Sequence, residues 1–313
     1  MRVLSLSLLL VTLSIISLTI GVGTIDWLAL VKGQTSEFML LSTSRIPRTA
    51  ALIIAGAGMS ISGVILQQIT QNKFVAPTTA GTLDAAKMGL LVAMVFVPGL
   101  DFIGKLLLAF LFTFILSLVY LKIIERIQFK SVIYVPIVGL MYGAILYSIT
   151  TFVAVNLNIV QDVNAWLIGD FSGVLSGNYE LIYLSLPAVV ITYLYSSRFS
   201  VVGMGRDFSK NLGLNYLQIM RLGIFCAALS VSTIVITVGA IPFLGLIIPN
   251  LVSLMMGDNL RKTLPIIALM GAVFLLACDI IGRLVIYPFE VPIGLTAGIV
   301  GALLFLILLL RRR

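Results

Sequence analysis

The chain has 313 residues, 60% of them hydrophobic and only 10% charged, with a mean hydropathy of +1.17. Ordinary domains carry about 25% charged residues, so composition excludes a soluble globular protein and points to helices crossing a bilayer, each roughly 20 residues long. The net charge of +8 is no nucleic-acid signature, because Lys and Arg fall between apolar runs, and a chain without histidine has no His-ligated haem, His metal site, His proton relay or Ser-His-Asp triad.

About ten apolar runs follow one another, and no polar segment between them is long enough to fold alone. One all-α, polytopic membrane domain over residues 1–313 is therefore expected. The first run, 3–22, resembles a signal peptide but lacks a clear small-x-small cleavage site, so it reads as a retained helix. A turn-rich stretch, 23–47, leads into a second helix, 48–69. There Gly56/Ser60 and Gly58/Ser62 have the small-xxx-small spacing that lets helices meet backbone to backbone, and packing is expected of them rather than substrate contact.

A polar exit (Gln67, Gln68, Gln71, Asn72, Lys73) and a turn over 77–81 precede the third helix, 82–97. It opens with Asp84 and Lys87, which are costly against lipid and are expected to face protein or water. The fourth helix covers 102–121. The fifth covers 132–155, where Pro136 and Gly139 are expected to kink or loosen it. Residues 156–179 do not span; a half-helix over 163–169, anchored at the interface by Trp166, fits them. The sixth and seventh helices cover 181–195 and 217–238.

Between them lies the polar loop 203–216, with Arg206, Asp207, Ser209, Lys210, Leu212 and Gly213. A short helix closed by glycine is compact and stiff, suited to dock in a cleft and transmit a push; a plain solvated connector is the alternative. The next segment is apolar but broken by Gly239, Pro242, Gly245 and Pro249. A shorter helix, 243–256, buried or lining a cavity and including Asn250, is expected there. The ninth helix, 264–286, carries Asp279 and Arg283 at i, i+4, a structural ion pair rather than a proton relay. Glu290 is a gate or a cap, and the tenth helix covers 293–310. Cys226 and Cys278 sit inside apolar runs as buried, reduced, inert thiols.

Ten crossings with both termini in the cytoplasm place fifteen of the twenty Lys and Arg inside, in keeping with the positive-inside rule. The five outside are Lys32, Arg45, Arg48, Lys105 and Arg283. Arg45 and Arg48 at the mouth of the second helix and Arg283 at the end of the ninth suit pairing with carboxylates of a partner. They equally suit snorkelling to headgroups. A P-loop with Lys-Ser/Thr is missing, so neither ATP binding by this route nor enzymatic chemistry is expected, and no metal site.

These motifs in order resemble the iron-chelate and cobalamin importer permeases, the FecCD family, from about Arg45 to the C-terminus. The specific parts are Arg45-Ile46-Pro47-Arg48, Ser62-Gly63, Gln67/Asn72, Trp166 with Gly169 and Phe171, Leu212-Gly213, the run from Pro242 to Pro249, Asp279 with Arg283, and Glu290, Pro292 and Gly294 followed by Thr296-Ala297. The resemblance implies a type II importer permease whose second to fifth and seventh to tenth helices form an inverted repeat. It implies a second permease subunit and two cytoplasmic ATPases that hold the ATP and Mg, with no cofactor on this chain. It also implies an extracytoplasmic binding protein that docks on Arg45, Arg48 and Arg283, and a loop 203–216 that couples to the ATPase. Asn250 stands where many members have His, and Asn72 to Ala76 departs from an Asn-Pro-Leu-Ala pattern. These variants look like the branch that imports ferric catecholate-type siderophores with two different permeases. Its helices 3, 5, 8 and 10 are expected to line the path, in a bacterial cytoplasmic membrane. Cobalamin or haem as cargo, an ion-driven carrier and a passive channel are the alternatives.

Overall fold

An apolar segment in lipid has no water to satisfy its peptide groups, so it must form its own hydrogen bonds as helix. The structure, a computed structural model, describes residues 2–21, 35–126, 134–165 and 168–310. Its apolar helices are α1 (Arg2–Thr19), α2 (Ile46–Thr70), α3 (Thr82–Phe96), α4 (Phe102–Arg126), α5 (Tyr134–Asn156), α6 (in two pieces, Ser185–Leu194 and Ser196–Val202), α7 (Tyr216–Val238), α8 (Leu244–Met256), α9 (Leu260–Val285) and α10 (Ile293–Leu310). The spans containing α2, α4, α5, α7 and α9 are long and apolar enough to cross a membrane. The α6 pieces, bent by 69°, make a sixth if they form one crossing. α1, α8 and α10 are shorter apolar helices, and α3 has 15 residues.

α2 is the axis of the bundle and packs against α6, α7, α8 and α9. Small residues set those contacts. A Cβ on Gly56 would come 2.5 Å from the Gly271 carbonyl oxygen on α9, and one on Gly63 would overlap the Gly245 carbonyl on α8. Ser60 lies on the same α9 contact, against Gly271, and Gly58 faces Ile234 of α7. The expected packing role of this face is what the structure shows. The apolar window of the α2 span is 83% buried and that of α5 is 28% buried, so α5 lies on the outside of the bundle.

Several expectations change. The stretch 23–47 is not turn throughout, since among its described residues helix covers Thr35–Leu40 and passes through a π-turn, Leu41–Arg45, into α2. Pro47 lacks the N–H that would bond the Thr43 carbonyl four residues back. The backbone N–H of Ser176 donates to that carbonyl instead, at 2.9 Å, and the wider π-turn absorbs the mismatch. Pro136 does not break α5, because it falls in the first turn, where its N–H would have no partner anyway. Gly139 serves close packing, since a Cβ there would collide with the Thr79 carbonyl oxygen. The half-helix lies earlier than expected, at Val160–Ala165, and Trp166 lies outside the described residues. Cys226 and Cys278 are buried free thiols.

Candidate functional site

One end of the bundle gathers the arginines. Arg48 donates from Nη1 to Glu290 Oε2 at 2.7 Å and from Nη2 to Asp279 Oδ1 at 2.8 Å. The other Asp279 oxygen pairs with Arg283 Nη2 at 2.5 Å. Arg283 also donates to the Ser17 and Ile20 carbonyls at the end of α1, at 3.0 and 2.7 Å, and to the Ser17 hydroxyl at 2.6 Å. Arg45 donates to the same Ile20 carbonyl. The Asp279–Arg283 pair is thus structural, as read from the sequence, and Glu290 is an arginine partner rather than a helix cap. The three arginines do come together, but they turn inward: the Arg283 side chain is 2% exposed and that of Arg48 13%. Three guanidiniums against two carboxylates leave the cluster one positive charge in excess. Ser17 gave no signal, being one of several serines in an apolar run.

The chain between α7 and α8 is bent by backbone geometry that glycine makes easy. Gly239 has φ +80° and Phe243 is forced to φ +62° before α8 starts. Inside α8, Pro249 leaves the Gly245 carbonyl without its helical donor, and buried Gln67 on α2 supplies Nε2 at 3.4 Å. Asn250 donates from Nδ2 to the Lys73 and Leu246 carbonyls, each at 2.7 Å, which clamps α8 to the turn after α2. Gly245 packs against Met59 and Pro77. Of the four residues expected on a path, Pro242 lines a cleft of about 390 Å³ together with Asp84, Lys87, Gly169, Ala240 and Gly294. Pro249 lines a different cavity, about 290 Å³, at the opposite end from the arginines. Gly169 closes the first cleft: its N–H neighbour Asp170 donates to Val238, and its carbonyl accepts from Gly294.

The loop 203–216 folds into a short helix, Arg206–Asn211. Its C-terminal end is a Schellman motif, with Leu214 N–H donating to the Ser209 carbonyl and Gly213 N–H to the Lys210 carbonyl. Gly213 supplies the left-handed residue, φ +73°. Ser209 is fully buried and donates to the Val201 carbonyl at the end of α6 at 3.1 Å, which seats the helix on the bundle. Arg206, Asp207 and Lys210 point outward. Met204, Phe208 and Leu212, four residues apart, are exposed together and give the helix an apolar outer stripe. Asn215 caps the start of α7 by accepting from Gln218 N–H.

Comparison with known proteins assigns this architecture. The model of the FecCD transport family matches residues 8–311. The chain belongs to the FecCD transport family. It is 47% identical over 313 residues to the petrobactin import system permease protein YclN of Bacillus subtilis, covering 100% of this chain and 99% of that one. It is also 47% identical to the ferric-anguibactin transport system permease protein FatD of Vibrio anguillarum, covering 96% of each. A solved structure titled as an inward-facing conformation of a putative metal-chelate type ABC transporter superposes with a TM-score of 0.81 at 27% identity, over 98% of both chains. This FecCD chain is a transport permease of an ATP-binding-cassette importer and not an enzyme. Among its described residues no cluster of three His, Cys, Asp or Glu stands ready to hold a metal ion.

Proposed function

We propose that this permease carries a ferric siderophore of catecholate type across the bacterial cytoplasmic membrane. The observation that carries the cargo is the 47% identity, along their whole lengths, to permeases named for petrobactin and ferric anguibactin import. In this reading a second, different permease subunit completes the path and two copies of a cytoplasmic ATPase drive it. The chain itself needs no cofactor, and the siderophore brings its iron already wrapped.

The Arg206–Asn211 helix and the stripe Met204, Phe208 and Leu212 seat in the ATPase, with Asp207 and Lys210 at the rim and Gly213 holding the helix end. Both termini then lie in the cytoplasm, and the arginine end faces outward toward a siderophore-binding protein. Its excess positive charge suits acidic side chains on that protein. Arg45 and Arg48 meet those carboxylates, Glu290 yields Arg48 to them, and Arg283 supports the site from beneath through Asp279. The helix break at Pro242 and the stretch from Gly245 to Asn250 form the flexible part of the path wall, within an inverted repeat of helices 2–5 and 7–10.

The test is radio-iron uptake by cells lacking this chain and by complemented cells. Iron is offered as a ferric catecholate, a ferric hydroxamate and a free salt, with and without the cognate ATPase. Uptake confined to the catecholate and lost with the ATPase is the expected result. Uptake of every iron form unchanged by the deletion would overturn the cargo and turn attention to cobalamin and haem.

A further inference from the structure

The first two turns of α3 hold two charges far from either end of the bundle. Asp84 and Lys87 form an i, i+3 pair with Nζ 3.3 Å from Oδ1. The Asp84 carboxylate lies over Gly143, where a Cβ would come 2.8 Å from Oδ2. Gly143 is about 14 Å along α5 from its first residue, so the pair is deep in the membrane-spanning part. Both side chains line the cleft of about 390 Å³ beside Pro242, Gly169 and Gly294, and they are the charged residues of that lining. On their other side they border α5 at Tyr147 and Thr150.

A charge in the membrane interior is expensive and marks a pathway or a partner. The two side chains are only 16% and 18% exposed, and a pair withdrawn this far from water rarely repays its own desolvation, so bundle stability alone does not account for it. The pair is also slack, because a tight charge-assisted bond is about 2.7–2.9 Å long. The lysine ammonium has three donors, and Asp84 engages one of them at long range. Such a lysine is held ready rather than locked.

We infer that Lys87 is a cargo-selecting contact that pairs with the anionic face of an iron chelate in the cleft, while Asp84 holds the ammonium aside when the cleft is empty. The inference rests on the siderophore reading above and adds its chemical selectivity. Three doubly deprotonated catecholates around Fe(III) leave three negative charges in excess, whereas three hydroxamates leave none. A cation at this depth favours the first class over the second.

The experiment uses the complete importer, with both permeases, ATPase and binding protein, in proteoliposomes. Two quantities are read: ATP-driven uptake of a radio-iron catecholate, and ATP hydrolysis stimulated by the loaded binding protein. The variants are Lys87→Arg, Lys87→Gln and the double variant Asp84→Asn/Lys87→Gln, which removes both charges and leaves none unpaired. The double variant is expected to keep stimulated hydrolysis within about twofold and to lose uptake by about tenfold or more, the scale of one lost charge-assisted contact. Lys87→Arg is expected to keep most of the uptake. Uptake by the double variant within about twofold of wild type overturns the contact. Loss of stimulated hydrolysis together with uptake assigns the pair to folding or assembly and overturns it too. A wild-type importer that hydrolyses ATP yet carries no ferric catecholate overturns the cargo reading itself, which is a different result from wild type and double variant carrying it alike.

Discussion

Substitution of Gly213 tests the proposed coupling role of loop 203–216 apart from the rest of the fold. A Cβ at this position would meet nothing within 4 Å, yet the residue sits at φ +73°. The cost of Gly213→Val is therefore conformational and not steric, about 1–2 kcal/mol for placing an L-residue in the left-handed region. That shifts the balance between the closed Schellman end and a frayed one by about five- to thirtyfold. It does so without touching the core, because Gly213, Leu212 and Asn215 are exposed. The expected outcome is a folded importer in which ATP hydrolysis continues and uptake per ATP falls about tenfold. Gly177 supplies the control. It too has positive φ, +97°, with open space where a Cβ would go, but its neighbour Ser176 bonds Thr43 at the arginine end. Gly177→Ala is expected to carry a comparable backbone cost and leave uptake per ATP unchanged. Normal coupling in Gly213→Val, or an equal loss in Gly177→Ala, would refute the assignment of force transmission to this helix.

Asp279→Ala leaves two guanidiniums facing each other in a site where the Arg283 side chain is 2% exposed, so a loss of about 3–5 kcal/mol is expected, read as thermal stability in detergent. The double variant Asp279→Leu/Arg283→Met, which empties the site of charge, is expected to recover most of it. Gly56→Val drives side-chain atoms into the Gly271 backbone on α9; overpacking costs about 1–3 kcal/mol, and the yield of folded, monodisperse protein is expected to drop while Gly99→Val, which meets open space, has no effect. Gln67→Leu removes the donor that covers the Gly245 carbonyl beside Pro249. It is expected to destabilise by about 1–2 kcal/mol, and an unchanged melting temperature would show that the carbonyl is satisfied some other way.

Much of the fold was readable because lipid leaves so few choices. The ten helix starts fall within four residues of expectation, since each apolar run must close its own hydrogen bonds and the polar turns between runs are short. The stretch 23–47, read as turn-rich, departs from expectation, because its described part over 35–45 is helical. A π-turn and a donor from Ser176, 129 positions past Pro47 in the chain, make the proline tolerable, and nothing local announces either. The arginine end was legible as a set of residues and illegible as a geometry. Arg45, Arg48 and Arg283 stand out because they defy the charge bias, but their inward turn depends on Asp279, Glu290 and the Ser17 and Ile20 carbonyls, which only packing brings together. Asn250 was visible as an unusual residue, while its bond to Lys73 joins two segments that no periodicity connects.

The ion-driven alternative meets a physical obstacle in the same geometry. A carrier of that kind needs an intramembrane carboxylate that takes up and releases a proton or cation in turn. Among the described residues inside the bundle, Asp279 and Asp84 are the carboxylates available. Asp279 is fixed between Arg48 and Arg283, and protonating it would leave two buried guanidiniums uncompensated. Asp84 faces Lys87 across a looser pair, so its charge is balanced from within and does not call for an imported cation. In the empty cleft both carboxylates are paired with cations of the chain. The outlying element is instead a capped helix with an apolar stripe at one end, joined through the bent α6 and through α7 to the break at Gly239 and Phe243. In the proposed function a push on that helix would reach the cleft wall at Pro242 without any titration along the way, as an importer powered by a separate ATPase requires.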